Sequence, residues 1–278
     1  MKRICDPFAY SDGPIKNSFW AETVPVSARP ALSESVTADV AIIGAGYTGL
    51  NAALKLAEGG VDVTVLDAKH VGWGASGRNG GFCCLGGAKA STRALKRLFG
   101  VEALSEYLTS ERAAVDHVDG LLSRFNWDVD RHSDGETMLA HNARAAAGFA
   151  QEAEDLATLY KKPIDVIAKG DLADRGFGGG FHGAITIPIG FALNPRKYVS
   201  NLAQSAETAG AKIYADTPVT ETKQHDGLWH LTTPQGLVTA KKLVIATNGY
   251  SSDAIPPWLA GRFLPAQSSV IVTRPITS

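Results

Sequence analysis

Residues 40–67, VAIIGAGYTGLNAALKLAEGGVDVTVLD, decide the fold of this chain. An apolar run (40–43) leads into a GxGxxG turn, a helical pattern (47–58), a second apolar run (61–66) and a terminal acid. This order predicts a βαβ unit that binds a dinucleotide. The alternative is a glycine-rich turn that holds no phosphate, and the complete strand–helix–strand context argues against it.

Each glycine of this turn, and the acid that follows it, has a physical role. Gly44 permits the turn out of the strand, Gly46 lets the backbone approach a pyrophosphate, and Gly49 lets the helix pack closely on the sheet. Asp67 lies 23 residues after Gly44, close to the spacing at which an acid takes a ribose hydroxyl. A carboxylate there would repel a 2′-phosphate, so Asp67 also argues against NADP.

The loop after the second strand indicates which dinucleotide is bound. Residues 72–81, GWGASGRNGG, contain five glycines, two small residues, an arginine and an asparagine. A backbone with so few side chains can pass beside a flat ligand and aim its N–H groups at anionic or carbonyl oxygens. Arg78 is long enough to reach a pyrophosphate or a ring carbonyl. A flexible surface loop is the alternative.

Together, GAGYTGL (44–50) and GWGASGRNGG resemble the FAD-dependent oxidoreductases of the D-amino-acid oxidase superfamily, nearest to the bacterial gamma-glutamylputrescine oxidase-like branch. Three further segments resemble the same branch: SFWAETV (18–24), FALNPRKYV (191–199) and LVIATNGYS (243–251). The resemblance implies FAD as the cofactor.

The resemblance also implies which residues hold FAD. The turn glycines would surround the pyrophosphate, Asp67 would bind the adenosine ribose, and residues 75–81 would run beside the flavin. Val219 would present its backbone to the adenine, and residues 247–249 would line the crevice, although Thr247 and Asn248 also suit an ordinary strand-end turn. The full set is Gly44, Gly46, Tyr47, Thr48, Gly49, Asp67, Ala68, Gly74, Ala75, Ser76, Arg78, Asn79, Gly80, Gly81, Val219, Thr247, Asn248 and Gly249.

The predicted fold class is α/β with α+β elements: a Rossmann-like FAD-binding domain and a discontinuous second, substrate lobe. The expected partition is a leader (1–35), the FAD-binding domain (36–90 and 190–254) and the substrate lobe (91–189 and 255–278). Members of the resembled family continue beyond a strand similar to SSVIVTRPIT (268–277). We therefore expect an N-terminal portion whose substrate sheet is incomplete, with an open edge that favours association.

The other segments have periodicities that predict regular elements. Asn194-Pro195 is expected to start a helix that Gly210 ends, with Tyr198, Leu202, Ala203 and Ala206 on one face. The expected strands are 211–215, a meander of 219–224, 228–233 and 237–240, a buried strand 243–246, a strand pair within 128–141 around the turn 133–135, and 183–189. The expected helices are 143–160 and two within 92–125 that meet at Gly100, with Leu104, Leu108, Ala113, Val115, Val118, Leu121 and Leu122 in the core.

Composition excludes some classes of function. The net charge is −1 without a block of like charges, which disfavours nucleic acid and acidic membrane surfaces as partners. No apolar stretch approaches 18 residues and the N-terminus lacks the apolar core of a signal peptide, so no membrane span is expected and the default location is cytoplasmic. The three cysteines include the adjacent Cys83 and Cys84, which we interpret as small buried residues rather than a redox pair. The seven histidines lack the spacing of metal ligands.

The leading functional hypothesis is an FAD-dependent oxidoreductase that oxidises the C–N bond of a small-molecule amine or amino acid, by resemblance gamma-glutamylputrescine or a similar amine. Electrons would pass to oxygen or to another acceptor. The alternatives are a dehydrogenase that uses a partner as acceptor, a catalytically silent FAD-binding fragment, and last a nicotinamide dehydrogenase, whose mechanism does not require the 72–81 loop. The sequence identifies no catalytic residue.

Overall fold

The structure is a computed structural model that describes residues 11, 13, 18–87, 90–252, 254–263, 266, 268 and 270–273. The described residues form two compact units. The first is built from Met1–Gly81 with Asn194–Ser278, and the second from Phe82–Leu193. The predicted partition into a leader, an FAD-binding domain and a substrate lobe stays a prediction. Much of the expected leader (1–10, 12 and 14–17) lies outside the described residues.

The helices are α1 (Phe19–Thr23), α2 (Tyr47–Glu58), α3 (Thr92–Phe125), α4 (Ala143–Ala147), α5 (Phe149–Tyr160) and α6 (Pro195–Thr208). The strands are β1 (Val36–Ile43), β2 (Val63–Leu66), β3 (Phe82–Cys83), β4 (Glu136–Leu139), β5 (Asp165–Ala168), β6 (Gly183–Ile187), β7 (Phe191–Ala192), β8 (Lys212–Tyr214), β9 (Glu221–His225), β10 (Leu228–Thr232) and β11 (Leu237–Ile245). Among the described residues, no helix combines the length and the apolar character needed to cross a bilayer.

The first unit is organised around a six-stranded sheet in the order β8-β2-β1-β11-β10-β9. The pairs β8–β2, β2–β1 and β1–β11 are parallel, whereas β10 pairs antiparallel with both β11 and β9. Ile42 of β1 lies opposite Val65 on one side and Val244 on the other, and Ala41 and Ile42 are fully buried. The predicted α/β fold with a Rossmann-like βαβ unit is confirmed.

One strand replaces two predicted ones in this sheet. The sequence divides 237–246 at Lys241-Lys242, but the structure continues β11 through both lysines, pairing it with β1 along its length. Lys241 is exposed and its Nζ lies 2.7 Å from Asp39 Oδ1 on the neighbouring strand. The prediction of two strands is wrong because the lysines interrupt the apolar pattern of the sequence but not the pairing of β11 with β1.

The helix α6 follows its prediction closely. Asn194 caps it, its Oδ1 accepting from the N–H groups of Arg196 and Lys197. The predicted apolar face is buried, comprising Tyr198, Leu202, Ala203 and Ala206. Because Asn194 is itself almost fully buried, the capped end of α6 is an internal part of the unit.

The second unit contains an antiparallel sheet in the order β4-β6-β5 and the short β3–β7 pair. The predicted strand pair within 128–141 is wrong. Its second half forms β4, but β4 pairs with β6, and the preceding His132 bridges to Ala192 instead. The expected turn is present, with Ser133 at φ 64° and Gly135 at φ 98°, so the local turn was predictable and the distant partners were not.

Two helical predictions in this unit are refined. The break at Gly100 is confirmed, since that residue has φ 88° and ψ 175° within α3. Of the expected core stripe, Leu104, Val115, Leu121 and Leu122 are buried, but Ala113 is exposed. The helix predicted at 143–160 is two helices separated at Gly148.

The described part of the expected final strand, residues 268 and 270–273, forms no strand. Val270 and Ile271 are exposed. The remaining residues of that segment lie outside the described ones, so the open edge expected there stays a prediction.

Candidate cofactor site

The turn between β1 and α2 is packed too tightly for side chains at two glycines. A Cβ at Gly44, which has φ 106°, would lie 2.7 Å from the carbonyl oxygen of Ala246. A Cβ at Gly49 would lie 2.0 Å from the carbonyl oxygen of Gly44. The first contact brings the turn against the end of β11, and the second sets α2 directly on the turn. These contacts give the physical reason for glycine at both positions.

The N-terminus of α2 carries backbone donors that the described protein does not use. The helical hydrogen bonds begin with Leu50 N–H donating to Gly46 O. Tyr47 N–H donates to Ser76 Oγ at 3.0 Å. The N–H groups of Thr48 and Gly49 find no acceptor among the described residues. Free N–H groups at a helix N-terminus, together with the helix dipole, form a site for an anion.

The acid at the end of β2 braces this turn. Asp67 Oδ2 accepts from Ala45 N–H at 2.7 Å, and Oδ1 accepts from Lys69 N–H at 2.9 Å. Burial raises the pKa of Asp67, while the two N–H donors act in the opposite direction. The backbone of Asp67 also accepts from Thr217 N–H at 2.7 Å, which brings the segment before Val219 beside Ala68. The ribose and adenine contacts of Asp67 and Val219 stay predictions.

The 72–81 loop is held to the turn by side chains. Residues Ala75–Gly77 form a 3₁₀ turn, which seats Ser76 over the start of α2. Asn79 Nδ2 donates to Tyr47 Oη at 3.1 Å, and Asn79 Oδ1 accepts from Gly81 N–H at 2.8 Å. Trp20 Nε1 of α1 donates to Asn79 O at 2.9 Å. The segment containing Gly74, Ala75, Gly80 and Gly81 is therefore anchored at both ends.

Arg78 lies beside two aromatic rings, Trp73 and Tyr250, whose centroids are 5.5 Å apart in an edge-to-face contact. Its guanidinium carbon lies 4.9 Å from the Trp73 ring centroid and 5.9 Å from that of Tyr250. Nη2 donates to Tyr250 Oη at 2.5 Å. Nη1 is buried and has no hydrogen-bond partner among the described residues. Sequence reasoning assigned no role to Trp73 or Tyr250, although both lie in the quoted segments, because nothing local shows that they flank Arg78.

Residues 247–249 keep both of their interpretations. Thr247 Oγ1 lies 2.6 Å from Ser251 Oγ, and Tyr250 N–H donates to Thr247 O. Asn248 has φ 43° and begins a short 3₁₀ turn that includes Gly249. These contacts suit a strand-end turn. The same turn follows Ala246, whose carbonyl faces Gly44, so it lies beside the turn glycines as predicted for a crevice.

A family model described as FAD dependent oxidoreductase matches residues 39–278. The chain belongs to this family. The match covers the βαβ unit, the 72–81 loop and the sheet that carries them, and the family's cofactor is FAD. The predicted resemblance and cofactor are confirmed.

The chain is similar to several curated proteins, among them two oxidoreductases. The gamma-glutamylputrescine oxidoreductase of Escherichia coli is 29% identical over 242 residues, 87% of this chain and 56% of that protein. A probable oxidoreductase, OrdL, of Rhizobium meliloti is 30% identical over 258 residues, 92% of this chain and 60% of that protein. The chain thus spans little more than half the length of these relatives.

Solved structures support the same fold. Glycine oxidase from Geobacillus kaustophilus has a TM-score of 0.60 at 23% identity, covering 78% of this chain and 58% of that one. The FAD-bound L-alpha-glycerophosphate oxidase from Mycoplasma pneumoniae has a TM-score of 0.56 at 20% identity, covering 75% and 53%. At these identities the likeness shows the fold alone.

The residues of the first unit fit a dinucleotide. Two N–H groups at the start of α2, those of Thr48 and Gly49, have no acceptor among the described residues and suit a pyrophosphate. The unpartnered Nη1 of Arg78 is a further donor for an oxygen of FAD. Among the described residues, no cluster of acidic, histidine or cysteine side chains has the arrangement of a metal site.

Proposed function

We propose that this FAD dependent oxidoreductase oxidises the carbon–nitrogen bond of an amine or amino acid, with gamma-glutamylputrescine as the nearest substrate type. The support is the similarity to the gamma-glutamylputrescine oxidoreductase of Escherichia coli and the glycine-rich turn between β1 and α2. When bound, FAD supplies the acceptor for a hydride equivalent from the carbon that bears nitrogen. A cytoplasmic location stays a prediction of the sequence.

The chain's own contribution is to hold and orient the cofactor. We propose that the N–H groups of Thr48 and Gly49 bind the pyrophosphate, and that Asp67 and Val219 define the adenosine end. Arg78 would donate to an oxygen of the cofactor from its position beside Trp73 and Tyr250. The observation that carries this assignment is the pair of unused N–H groups at the tightly packed start of α2.

The first experiment is the visible absorption spectrum of the purified chain after incubation with FAD and gel filtration. Retained flavin bands are expected. A colourless protein would contradict the placement of the cofactor. Gly120→Ala, a glycine substitution in α3, serves as a control. A Cβ at Gly120 would have nothing within 4 Å, so this variant should retain FAD as the wild type does.

The second experiment tests the substrate class. Anaerobic addition of gamma-glutamylputrescine should bleach the flavin bands. Bleaching by other amines only would overturn the substrate type, and retained but unbleached FAD would identify a silent binding fragment. Oxygen consumption during turnover would separate an oxidase from a dehydrogenase that uses another acceptor.

We also propose that the chain associates through the sheet of its second unit. Among the described residues, β4 and β5 each pair on one side only, with β6, and Met138 and Val166 on them are exposed. An open strand edge is a template for pairing with another chain. Gel filtration with light scattering should give a mass that rises with concentration, and a concentration-independent monomer would contradict this proposal.

A further inference from the structure

Residues 18–32 cross the surface of the first unit before its first strand begins, and we call them the leader strap. Apart from α1 they form no helix or strand. Most side chains from 21 to 31 are exposed, whereas Leu32 is buried. A segment that buries so little apolar surface depends on specific contacts to stay in place.

The first part of the leader strap is fastened to the start of α6. Asn194 Nδ2 donates to Thr23 Oγ1 at 3.0 Å, and Arg196 Nε donates to Val24 O at 3.4 Å. Asn194 and Arg196 are both buried, so removal of the strap would take these acceptors away from buried donors, which is costly. The cap of α6 therefore fixes the strap as well as the helix.

The second part of the leader strap is fastened to the last turn of α6 and beyond it. Arg29 donates to Glu207 twice, at 2.6 Å from Nε and 2.8 Å from Nη2, in the bidentate geometry that guanidinium groups favour. Leu32 N–H donates to Thr217 Oγ1 at 3.0 Å. Thr217 N–H in turn donates to Asp67 O. The strap thus follows α6 and ends beside the acid at the end of β2.

The other end of the leader strap reaches the 72–81 loop through one indole. Trp20 Nε1 donates to Asn79 O at 2.9 Å across 59 positions of sequence. Asn79 Nδ2 donates to Tyr47 Oη at the start of α2. Thr23 Oγ1, which accepts from Asn194, also donates to Trp20 O at 2.7 Å. The cap of α6, the strap and the loop therefore belong to one chain of hydrogen bonds.

We propose that the leader strap holds the 72–81 loop against bound FAD and so limits the rate at which the cofactor leaves, with Trp20 as the positioning residue. This inference rests on the proposed placement of FAD at the start of α2. Ser76 of the loop accepts from Tyr47 N–H at that start, so release of a pyrophosphate held there requires the loop to move. The bond from Trp20 to Asn79 opposes that movement without touching the cofactor.

The test is the rate of FAD release, followed by the rise of flavin fluorescence after dilution of the FAD-loaded chain. Trp20→Phe keeps an aromatic ring and removes the indole donor, so release should be about three- to tenfold faster, the effect of one lost hydrogen bond. Trp258→Phe is the matched control. Trp258 lies in the same unit, outside the strap, and is 64% exposed, so this variant should release FAD at the wild-type rate.

A second variant tests the strap at a point that does not touch the loop. Thr23→Val keeps the branched shape and removes both hydrogen bonds of the hydroxyl, so it should also speed FAD release. Trp20→Phe and Thr23→Val together should release FAD little faster than the faster single variant, because both loosen one strap. Multiplicative effects would show two independent contacts and would overturn the proposal.

Hydrogen exchange gives a readout from the strap itself. Coupling between two sites is reciprocal, so saturation with FAD should slow the exchange of the amide groups in residues 18–24. Unchanged exchange, or a Trp20→Phe variant that unfolds at a lower temperature but releases FAD at the wild-type rate, would make the leader merely structural and overturn the proposal. A wild type that retains no FAD would overturn the placement of the cofactor, and the strap's role with it.

Discussion

Gly49→Ala tests the close packing of α2 on the turn. The added Cβ would start 2.0 Å from Gly44 O and 3.2 Å from Ile42 Cγ2. An ordinary contact begins at 3.4 Å, so either α2 or the turn has to move by more than 1 Å. Overpacking a well-packed site costs about 1–3 kcal/mol. The free energy of unfolding should fall, and the displaced α2 should also bind FAD more weakly.

Gly120→Ala is the matched control, because it makes the same change inside a helix. Neither Gly49 nor Gly120 has a positive φ, and both substitutions gain about 0.5–1 kcal/mol of helix propensity. That gain cancels in the comparison. The two variants should differ by the overpacking cost alone, about 1–3 kcal/mol.

The assay is thermal unfolding followed by calorimetry, which separates the transitions of the two units if they unfold apart. For a unit of this size, 1 kcal/mol shifts Tm by about 2–4 °C. Gly49→Ala should lower the Tm of the first unit, whereas Gly120→Ala should leave the Tm of the second unit unchanged or raise it. The reasoning is refuted if Gly49→Ala unfolds at or above the wild-type temperature and retains FAD equally well.

Three further predictions follow from single contacts. Gly46→Val, whose Cβ would lie 2.9 Å from Ser76 Oγ, should abolish FAD retention on gel filtration, and unchanged retention would overturn the pyrophosphate placement. Asn194→Ala should cost about 0.5–2 kcal/mol in urea unfolding because it removes the cap of α6 and the 3.0 Å bond to Thr23 Oγ1; a wild-type midpoint would contradict this. Burial raises the pKa of Cys83 from 9.0 to about 11, so at pH 8 its thiolate fraction, and its alkylation rate by peptide mapping, should be about a hundredfold below those of a free cysteine; labelling as fast as free cysteine would show that the thiol is not shielded.

The local motifs of this chain were predictable because their chemistry is contiguous. Residues 40–67 contain a strand, a glycine turn, a helix and an acid in that order. Each of them can be predicted from the types of neighbouring residues, because the backbone requirements of this unit are local. The cap at Asn194, the break at Gly100 and the turn at Gly135 follow from the same kind of local preference. The fold class and a dinucleotide cofactor therefore came from the local sequence, and the identity of that cofactor as FAD came from the family resemblance.

Strand partners and the surroundings of charged side chains were not predictable in this way. Periodicity records that one face is buried but not what covers it, which is why β4 was assigned the wrong partner and β11 was divided at its lysines. Arg78 and Tyr250 are 172 positions apart in the sequence, and each is an ordinary residue of its own segment. Only the tertiary structure brings the guanidinium beside that ring and Trp73, because contact between distant segments depends on packing that no local pattern encodes.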